Sequence, residues 1–152
     1  MVKLNEEWLR YFINIAEQVK LKSKDRSTQI GAVIVGKDKE IRSTGYNSFP
    51  RGLDDEVPER QERPEKYYFF EHSERNAIYN AARVGIPLDE SVIIVTSGIP
   101  CADCARAIIN SGIKAVYCKS ICTTKNKEKW NESQEKALQM LKECKVDVIF
   151  YD

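Results

Sequence analysis

The chain has 152 residues, of which 42% are hydrophobic and 31% charged, so it is long enough for one folded domain, residues 1–152, with a substantial core. Its formal net charge of +1 gives no overall basic field, which argues against long nucleic acid as a partner. No apolar run approaches the length that crosses a bilayer, and Asn5-Glu6-Glu7 interrupts any signal-peptide core. We therefore expect a cytoplasmic protein with no membrane partner, and five cysteines, an odd number, favour the same reducing compartment.

The first half of the chain predicts one helix and a hairpin. Apolar residues at helical spacing predict a helix to about residue 21, capped by Asn5: Leu4, Trp8, Phe12, Ile15 and Val19. The apolar run Gln29–Gly36 and the segment Glu40–Tyr46 predict two strands joined by a short turn. Residues Arg51–Lys66 predict a long polar loop, after which the aromatic run Tyr67–Phe70 should return to the core.

The second half alternates helices and strands. The first predicted elements are a helix Ser73–Arg83, a strand Ser91–Ser97, a helix Cys101–Asn110 and a strand Ile113–Cys118. A polar loop Thr123–Lys129, a helix Trp130–Lys145 and a strand Val146–Tyr151 follow. The inward residues should be Ala77, Ile78, Ala81 and Ala82 in the first of these helices, and Ala137, Leu138, Leu141 and Cys144 in the last. The order α-β-β-α-β-α-β-α-β predicts an α/β fold with a five-stranded mixed sheet and helices on both faces. The strand–helix–strand units from Val92 to Val148 should be parallel.

Two short motifs carry the chemistry, His72-Ser73-Glu74 and Pro100-Cys101-Ala102-Asp103-Cys104. Pro100 suits a helix start, and a helix start favours thiolates. Cys101 and Cys104 are three residues apart and His72 begins the preceding helix, so packing two helix starts together would bring the three side chains to one point. Such ligands suit zinc, and three of them leave a fourth position open for water, as in a catalytic site.

Glu74 completes a hydrolytic site in this interpretation. Zinc acidifies its bound water into a hydroxide, and Glu74, which we expect to be buried, could carry the proton to a ring nitrogen and then to a leaving amine. A lone Cys-x-x-Cys is often a redox pair or half of a structural zinc site, so the prediction depends on both motifs in this order. The pair is the signature of zinc-dependent nucleobase deaminases, and the chain is identified as a member of that superfamily. Cys118, Cys122 and Cys144 have no histidine left to join them, so we interpret them as buried small hydrophobes or free thiols.

Substrate-binding candidates come from two other stretches. The cations after the first helix usually form a solvated face, but Lys24 and Arg26 could instead hold a phosphate. Ala32 follows Gly31, and two such small residues would let a flat ring lie against the backbone. Asn47 is often only a turn residue, but it could bond a substrate sugar or base edge.

Three blocks resemble deoxycytidylate (dCMP) deaminases. They are Ser23-Lys24-Asp25 with the run to Val35, the Gly45-Tyr46-Asn47 block through Gly52, and Ser111-Gly112-Ile113-Lys114. The resemblance implies a cytidine-deaminase-like three-layer α/β/α fold and hydrolysis of dCMP to dUMP plus ammonia. It also implies one catalytic Zn²⁺ per chain held by His72, Cys101 and Cys104, with Glu74 as proton shuttle and Asn47 on the sugar.

The same resemblance implies regulation and assembly. Members of this family are often homohexamers, activated by dCTP and inhibited by dTTP with Mg²⁺; Tyr46, Arg51 and Asp55 are the candidates for such an effector site. The chain departs from the family pattern at Ser73, where alanine is usual, and at Arg26, where proline is common. The alternative is a deaminase of cytidine, guanine or tRNA adenosine on the same fold. A non-catalytic module with structural zinc would need a fourth protein ligand, and the sequence near the three shows none.

Overall fold

The computed structural model describes residues 2–120 and 131–152, in which five strands form one sheet in the order β2-β1-β3-β4-β5. The strands are β1 (Gly31–Val35), β2 (Ile41–Tyr46), β3 (Val92–Val95), β4 (Ala115–Lys119) and β5 (Asp147–Tyr151). Strand β1 pairs antiparallel with β2 and with β3, whereas β3, β4 and β5 run parallel. The predicted hairpin, the parallel half and the mixed sheet are therefore confirmed.

The helices follow the predicted order, with short additions. They are α1 (Glu6–Val19), α2 (Lys66–Phe69), α3 (Ser73–Val84), α4 (Ala102–Asn110) and α5 (Glu132–Glu143), together with 3₁₀ turns at Lys20–Lys22 and Pro58–Gln61. The Asn5 side chain accepts a hydrogen bond from the backbone of Trp8, which caps α1 as predicted. Gly85 adopts a left-handed conformation (φ 76°) that ends α3.

The core lies on both faces of the sheet. On one face α1 buries Phe12 against β1, β3 and β4. On the other face α3, α4 and α5 bury residues such as Ala77 and Ile108. Because side chains alternate along a strand, β1 sends Val33 to the first face and Ile34 to the second. The three-layer α/β/α fold is confirmed, and no helix within the described ranges is long and apolar enough to cross a membrane.

Helix α3 lies unusually close to β2, and this positions the first turn of α3. A Cβ atom at Gly45 would stand 2.5 Å from the Ser73 carbonyl oxygen and 2.8 Å from the Ala77 Cα, so glycine is needed for the approach. From β3, the central strand of the sheet, the chain leads through Pro100 into α4. The starts of α3 and α4 therefore meet beside the sheet, as the motifs require.

Several local predictions are wrong. Tyr67 and Tyr68 do not enter the core: they lie on the single turn of α2 and are 69% and 81% exposed, while Lys66 is buried in their place. Ala82 is exposed because it lies about 100° around α3 from the inward Ala81.

The ends of α4 and α5 also differ from the prediction. Helix α4 is capped by Cys101, so Pro100 lies just outside it rather than at its first position. Cys144 is exposed because α5 ends at that residue, past its last inward turn, whereas Cys118 is buried as predicted. Cys122, the loop Thr123–Lys129 and the predicted helix start at Trp130 lie outside the described residues.

Candidate active site

The three predicted metal ligands meet at the starts of α3 and α4. His72 is the N-cap residue of α3, Cys101 is the N-cap residue of α4, and Cys104 lies in the first turn of α4. The Nδ1 atom of His72 is 3.4 Å from the Sγ of Cys101 and 3.4 Å from the Sγ of Cys104. The three donor atoms all lie within 4.8 Å of one another.

This donor group fits zinc. Usual zinc–nitrogen and zinc–sulfur bond lengths in a tetrahedral site place the nitrogen and sulfur atoms about 3.6 Å apart, close to both distances from His72. Across residues 2–120 and 131–152, no further histidine, cysteine, aspartate or glutamate joins the group. A catalytic zinc site holds the metal through three protein ligands and leaves the fourth position to water.

The charges of the three groups are coupled. The pKa of the Cys101 thiol is lowered to about 4, first by its hydrogen bond with the Cys104 thiol and further by His72 and the Cys104 backbone N–H. The pKa of Cys104 is raised by the same thiol–thiol bond and by burial. The pKa of His72 is raised, chiefly by its hydrogen bond with Cys101. Cys101 is therefore a thiolate near neutral pH, which is the form that binds a metal.

Glu74 lies in the first turn of α3 and is 5% exposed, as expected for a proton shuttle. It lines the same cavity as His72 and Cys101. The buried Ser73 hydroxyl donates a hydrogen bond to Glu74 Oε1 at 2.5 Å. Ser73 therefore contacts Glu74, the proposed proton shuttle, directly. The sequence showed only that serine stands where alanine is usual and did not predict this contact.

Arg75 is a site residue that the sequence interpretation missed altogether. Its Nε donates to Glu71 Oε1 at 2.5 Å, and its Nη1 is 3.3 Å from Asp103 Oδ2. Burial opposes the Arg75 charge, but the fields of Cys104, Glu71 and Cys101 raise its pKa above the ordinary value. The sequence does contain one indication of this contact. Glu71 and Arg75 are four residues apart, a spacing that favours an ion pair at a helix start.

The group opens into a cavity of about 520 Å³, a size typical of small-molecule sites. Its walls come from the loop before β1, the residue after β2, α2, the starts of α3 and α4, the segment after β3, the end of β4 and the start of α5. Cations among the lining residues are Arg63, Lys66, Arg75 and Lys119.

Asn47 lines this cavity, and its side chain also holds the wall together. Its Oδ1 accepts from the Ile30 backbone N–H at 2.8 Å, and its Nδ2 donates to the Thr28 carbonyl at 2.8 Å. The same Nδ2 is 3.3 Å from Asp25 Oδ2, and Asp25 in turn pairs with Lys66 Nζ at 2.8 Å. Asn47 therefore lines the cavity, but the loop uses much of its hydrogen-bonding capacity, and its contact with the substrate sugar stays a prediction.

The structure does not bring Lys24, Arg26 or Ala32 to the cavity. Lys24 and Arg26 face a separate surface depression, because the loop turns the alternate residues Asp25 and Ser27 toward the cavity. Ala32 is fully buried within β1 and does not line the cavity. The cavity lining therefore gives no support to the predicted substrate contacts of Lys24, Arg26 and Ala32, which stay predictions.

The effector candidates lie away from the cavity lining. The Tyr46 carbonyl accepts from Asn76 Nδ2 at 2.8 Å, Arg51 is exposed, and Asp55 is 3.9 Å from the Lys24 ammonium. None of the three lines the 520 Å³ cavity, so their role stays a prediction.

Together the α/β/α fold and the His/Cys/Cys group beside a buried glutamate define a zinc-dependent nucleobase deaminase. Residues 6–120 match the family described as the cytidine and deoxycytidylate deaminase zinc-binding region. The chain therefore belongs to this family, and Zn²⁺ is its cofactor.

Known proteins of similar sequence include deaminases from animals and bacteria. The chain is 44% identical over 109 residues to a probable deoxycytidylate deaminase of Caenorhabditis elegans, covering 70% of this chain and 54% of that protein. It is 39% identical over 142 residues to an uncharacterized deaminase in the luxG 3′ region of Aliivibrio fischeri, covering 93% and 92%. It is 34% identical over 134 residues to a deoxycytidylate deaminase of Pongo abelii, covering 85% and 70%. The chain thus spans about half the length of the first relative and most of the other two.

A solved structure confirms the fold. The dCMP deaminase of cyanophage S-TIM5, crystallised in complex with dCMP and dUMP, superposes with a TM-score of 0.77 at 24% identity, covering 98% of this chain and 100% of that one.

Proposed function

We propose that the chain hydrolyses dCMP to dUMP and ammonia. The observation that carries the proposal is the convergence of His72, Cys101 and Cys104 near the buried Glu74. Of these residues, His72, Cys101 and Glu74 line a cavity of nucleotide size. Relatives named deoxycytidylate deaminase, at 33–44% identity, support this substrate over the other substrates of the fold.

His72, Cys101 and Cys104 would hold the metal, and zinc when bound supplies Lewis-acid activation of a water molecule. Glu74 is the group of the chain that moves protons. It accepts one proton from the water that attacks C4 of the cytosine ring and delivers it to ring nitrogen N3. It then takes the proton of the new C4 hydroxyl and passes it to the amino group, so that the C4 carbonyl forms as the C–N bond breaks and ammonia leaves. The hydrogen bond from Ser73 fixes the orientation of the Glu74 carboxylate for these transfers.

The variant Glu74→Gln tests this assignment. We expect it to retain zinc and fold while kcat for dCMP falls by about 10²–10⁴-fold, because general acid–base catalysis is lost. Zinc content, thermal melting and ammonia release would be measured together. The control is Glu135→Gln on the exposed face of α5, which should leave kcat unchanged. Wild-type turnover by Glu74→Gln would overturn the role.

The 5′-phosphate of dCMP needs cations, and we propose Lys119 and Arg63. Lys66 and Arg75 are held by carboxylates of the cavity wall. Lys119 is 34% exposed and lies 3.5 Å from Glu17, so its ion pair is weak enough to be exchanged for phosphate. Arg63 forms no ion pair with the residues that the structure describes, and its guanidinium can grip phosphate oxygens in pairs.

Lys119→Gln and Arg63→Gln should each raise KM for dCMP by about 10-fold or more, because a hydrogen bond to a charged group is lost. Cytidine lacks the phosphate, so its turnover should not change. The matched control is Arg26→Gln, which lies outside the cavity and should alter neither substrate. A raised KM in Arg26→Gln alone would restore the assignment made from the sequence.

A substrate panel separates dCMP from the alternatives cytidine, guanine and tRNA adenosine. Run with and without dCTP and with dTTP plus Mg²⁺, the same panel tests regulation. The homohexamer and these effectors stay predictions from the family resemblance, and the cytoplasmic location stays a prediction from the sequence. Light scattering would give the assembly size. A better rate with any substrate other than dCMP would overturn the substrate assignment.

A further inference from the structure

The zinc ligands come from two helices, and the side chain of Arg75 crosses between them. Arg75 starts from α3 and reaches Glu71, the residue next to His72, at 2.5 Å. It also reaches Asp103, which lies between Cys101 and Cys104 on α4, at 3.3 Å. Each carboxylate is therefore adjacent in sequence to a ligand. The Arg75 guanidinium therefore links the helix that carries His72 to the helix that carries Cys101 and Cys104.

Both anchor points are themselves fixed. The backbone of Glu71 pairs with Ser48 in both directions, at 2.8 and 3.1 Å, which ties it to the segment after β2. Its Oε1 also accepts from the His72 backbone N–H at 3.1 Å. On the other helix, Asp103 sits in the first turn of α4 and is also paired with Arg106 within that helix. The contacts of Arg75 therefore connect the segment that ends at Glu71 to the first turn of α4.

Burial and geometry favour a lasting contact. The Arg75 side chain is 17% exposed and that of Glu71 is 26% exposed, so water screens this pair only in part. The Asp103 side chain is 60% exposed, so its pair with Arg75 depends on geometry rather than on burial. The planar guanidinium directs Nε and Nη1 to different carboxylates at once, which the single ammonium of a lysine cannot reproduce.

We propose that Arg75 is a positioning residue that holds His72 in register with Cys101 and Cys104 and thereby sets the affinity for zinc. The inference rests on the ligands assigned under the proposed function. Groups that orient metal ligands from outside typically change metal affinity by about 10–100-fold when they are removed. Arg75 has this role although it donates no atom to the metal.

The test measures zinc affinity by competition with a chromophoric chelator. Arg75→Leu should weaken zinc binding by about 10–100-fold, and Arg75→Lys should recover only part of the loss. The matched control is Arg106→Leu, which removes a partner of Asp103 that stays within α4, and it should bind zinc as the wild type does. Melting temperatures in chelator would verify that each variant folds.

Asp103→Asn gives a second measure that does not depend on Arg75→Leu being folded, because Asp103 is 60% exposed. It should also weaken zinc binding, and the double variant with Arg75→Leu should lose less than the sum of the two single losses. Additive losses, or wild-type affinity in Arg75→Leu, would overturn the inference and leave the proposed function intact. If His72→Ala bound zinc as tightly as the wild type, the assigned ligands themselves would fail.

Discussion

The side chain of Asp25 joins three segments of the cavity wall. Within its own loop, the Asp25 carboxylate accepts from the Ser27 backbone and hydroxyl and from the Thr28 backbone. It also pairs with Lys66 of α2 at 2.8 Å and accepts from Asn47 Nδ2, after β2, at 3.3 Å. Burial by itself would raise the pKa of Asp25, but Lys66 and the hydrogen bonds from Ser27 and Thr28 outweigh it and lower the pKa below its ordinary value. The ionised form of Asp25 therefore stabilises the folded chain.

The sign of this pKa shift predicts acid sensitivity. Because the pKa is lower in the folded than in the unfolded chain, the contribution of Asp25 is present above about pH 4 and is lost as pH falls through the folded pKa. Asp25→Asn should lower the free energy of unfolding by about 3 kcal/mol at pH 7, since it leaves the buried Lys66 ammonium unpaired. It should also flatten the loss of stability below about pH 4. Urea unfolding from pH 7 to pH 3 measures both effects.

Lys66→Met provides the control for this pair. Combined with Asp25→Asn it removes the unpaired ammonium, so the double variant should be destabilised by less than the sum of the single variants. Asp147→Asn, on the exposed part of β5, should leave the unfolding curve unchanged. Equal stability of Asp25→Asn and Asp147→Asn would show that the Asp25 pair does not stabilise the fold.

The role of a single residue could be predicted where chemistry restricts the residue type. It could not be predicted where the role depends on a contact between residues far apart in sequence. Zinc accepts few ligand types at few spacings, so His72, Cys101 and Cys104 could be assigned from the sequence. The partners of Arg75 and Asp25 depend on which helix packs beside which loop. Lys24 and Arg26 were chosen for their charge, yet the loop turns Asp25 and Ser27 inward and these cations outward.

At the scale of elements, hydrophobic periodicity was sufficient for the long helices and the strands. The buried run of β1 and the spaced apolar residues of α1 each predicted an element within one or two residues of its bounds. Helix α2 was not predicted because a single turn is too short to show a hydrophobic period. Its tyrosines were assigned to the core from their residue type alone, although they are exposed. Helix α4 begins one residue later than predicted because Cys101 is its N-cap. The Cys101 sulfur accepts from the Cys104 backbone N–H, a role that an oxygen normally has.

At the scale of the whole molecule, the core and the metal group are separate. The buried apolar residues pack on the two faces of the sheet, through α1 on one side and α3, α4 and α5 on the other. The metal group stands where α3 and α4 begin, and only Cys104 of its three members is fully buried. The fold therefore has enough packing to exist without zinc, unlike small domains that fold around the metal.

Removal of zinc should therefore abolish turnover and leave the chain folded. We expect chelation to retain the far-UV circular dichroism spectrum and to lower the melting temperature by about 5–11 °C relative to protein in a hundredfold excess of zinc over its Kd. The physical reason is that zinc binds only the folded chain, which adds about 3 kcal/mol of stability under those conditions. Returning zinc should restore both activity and melting temperature, whereas the same concentration of Mg²⁺ should restore neither, because thiolate and imidazole ligands bind it poorly. Loss of the far-UV spectrum on chelation would instead mean that the His72, Cys101 and Cys104 group is a structural zinc site, and it would remove the basis for a catalytic one.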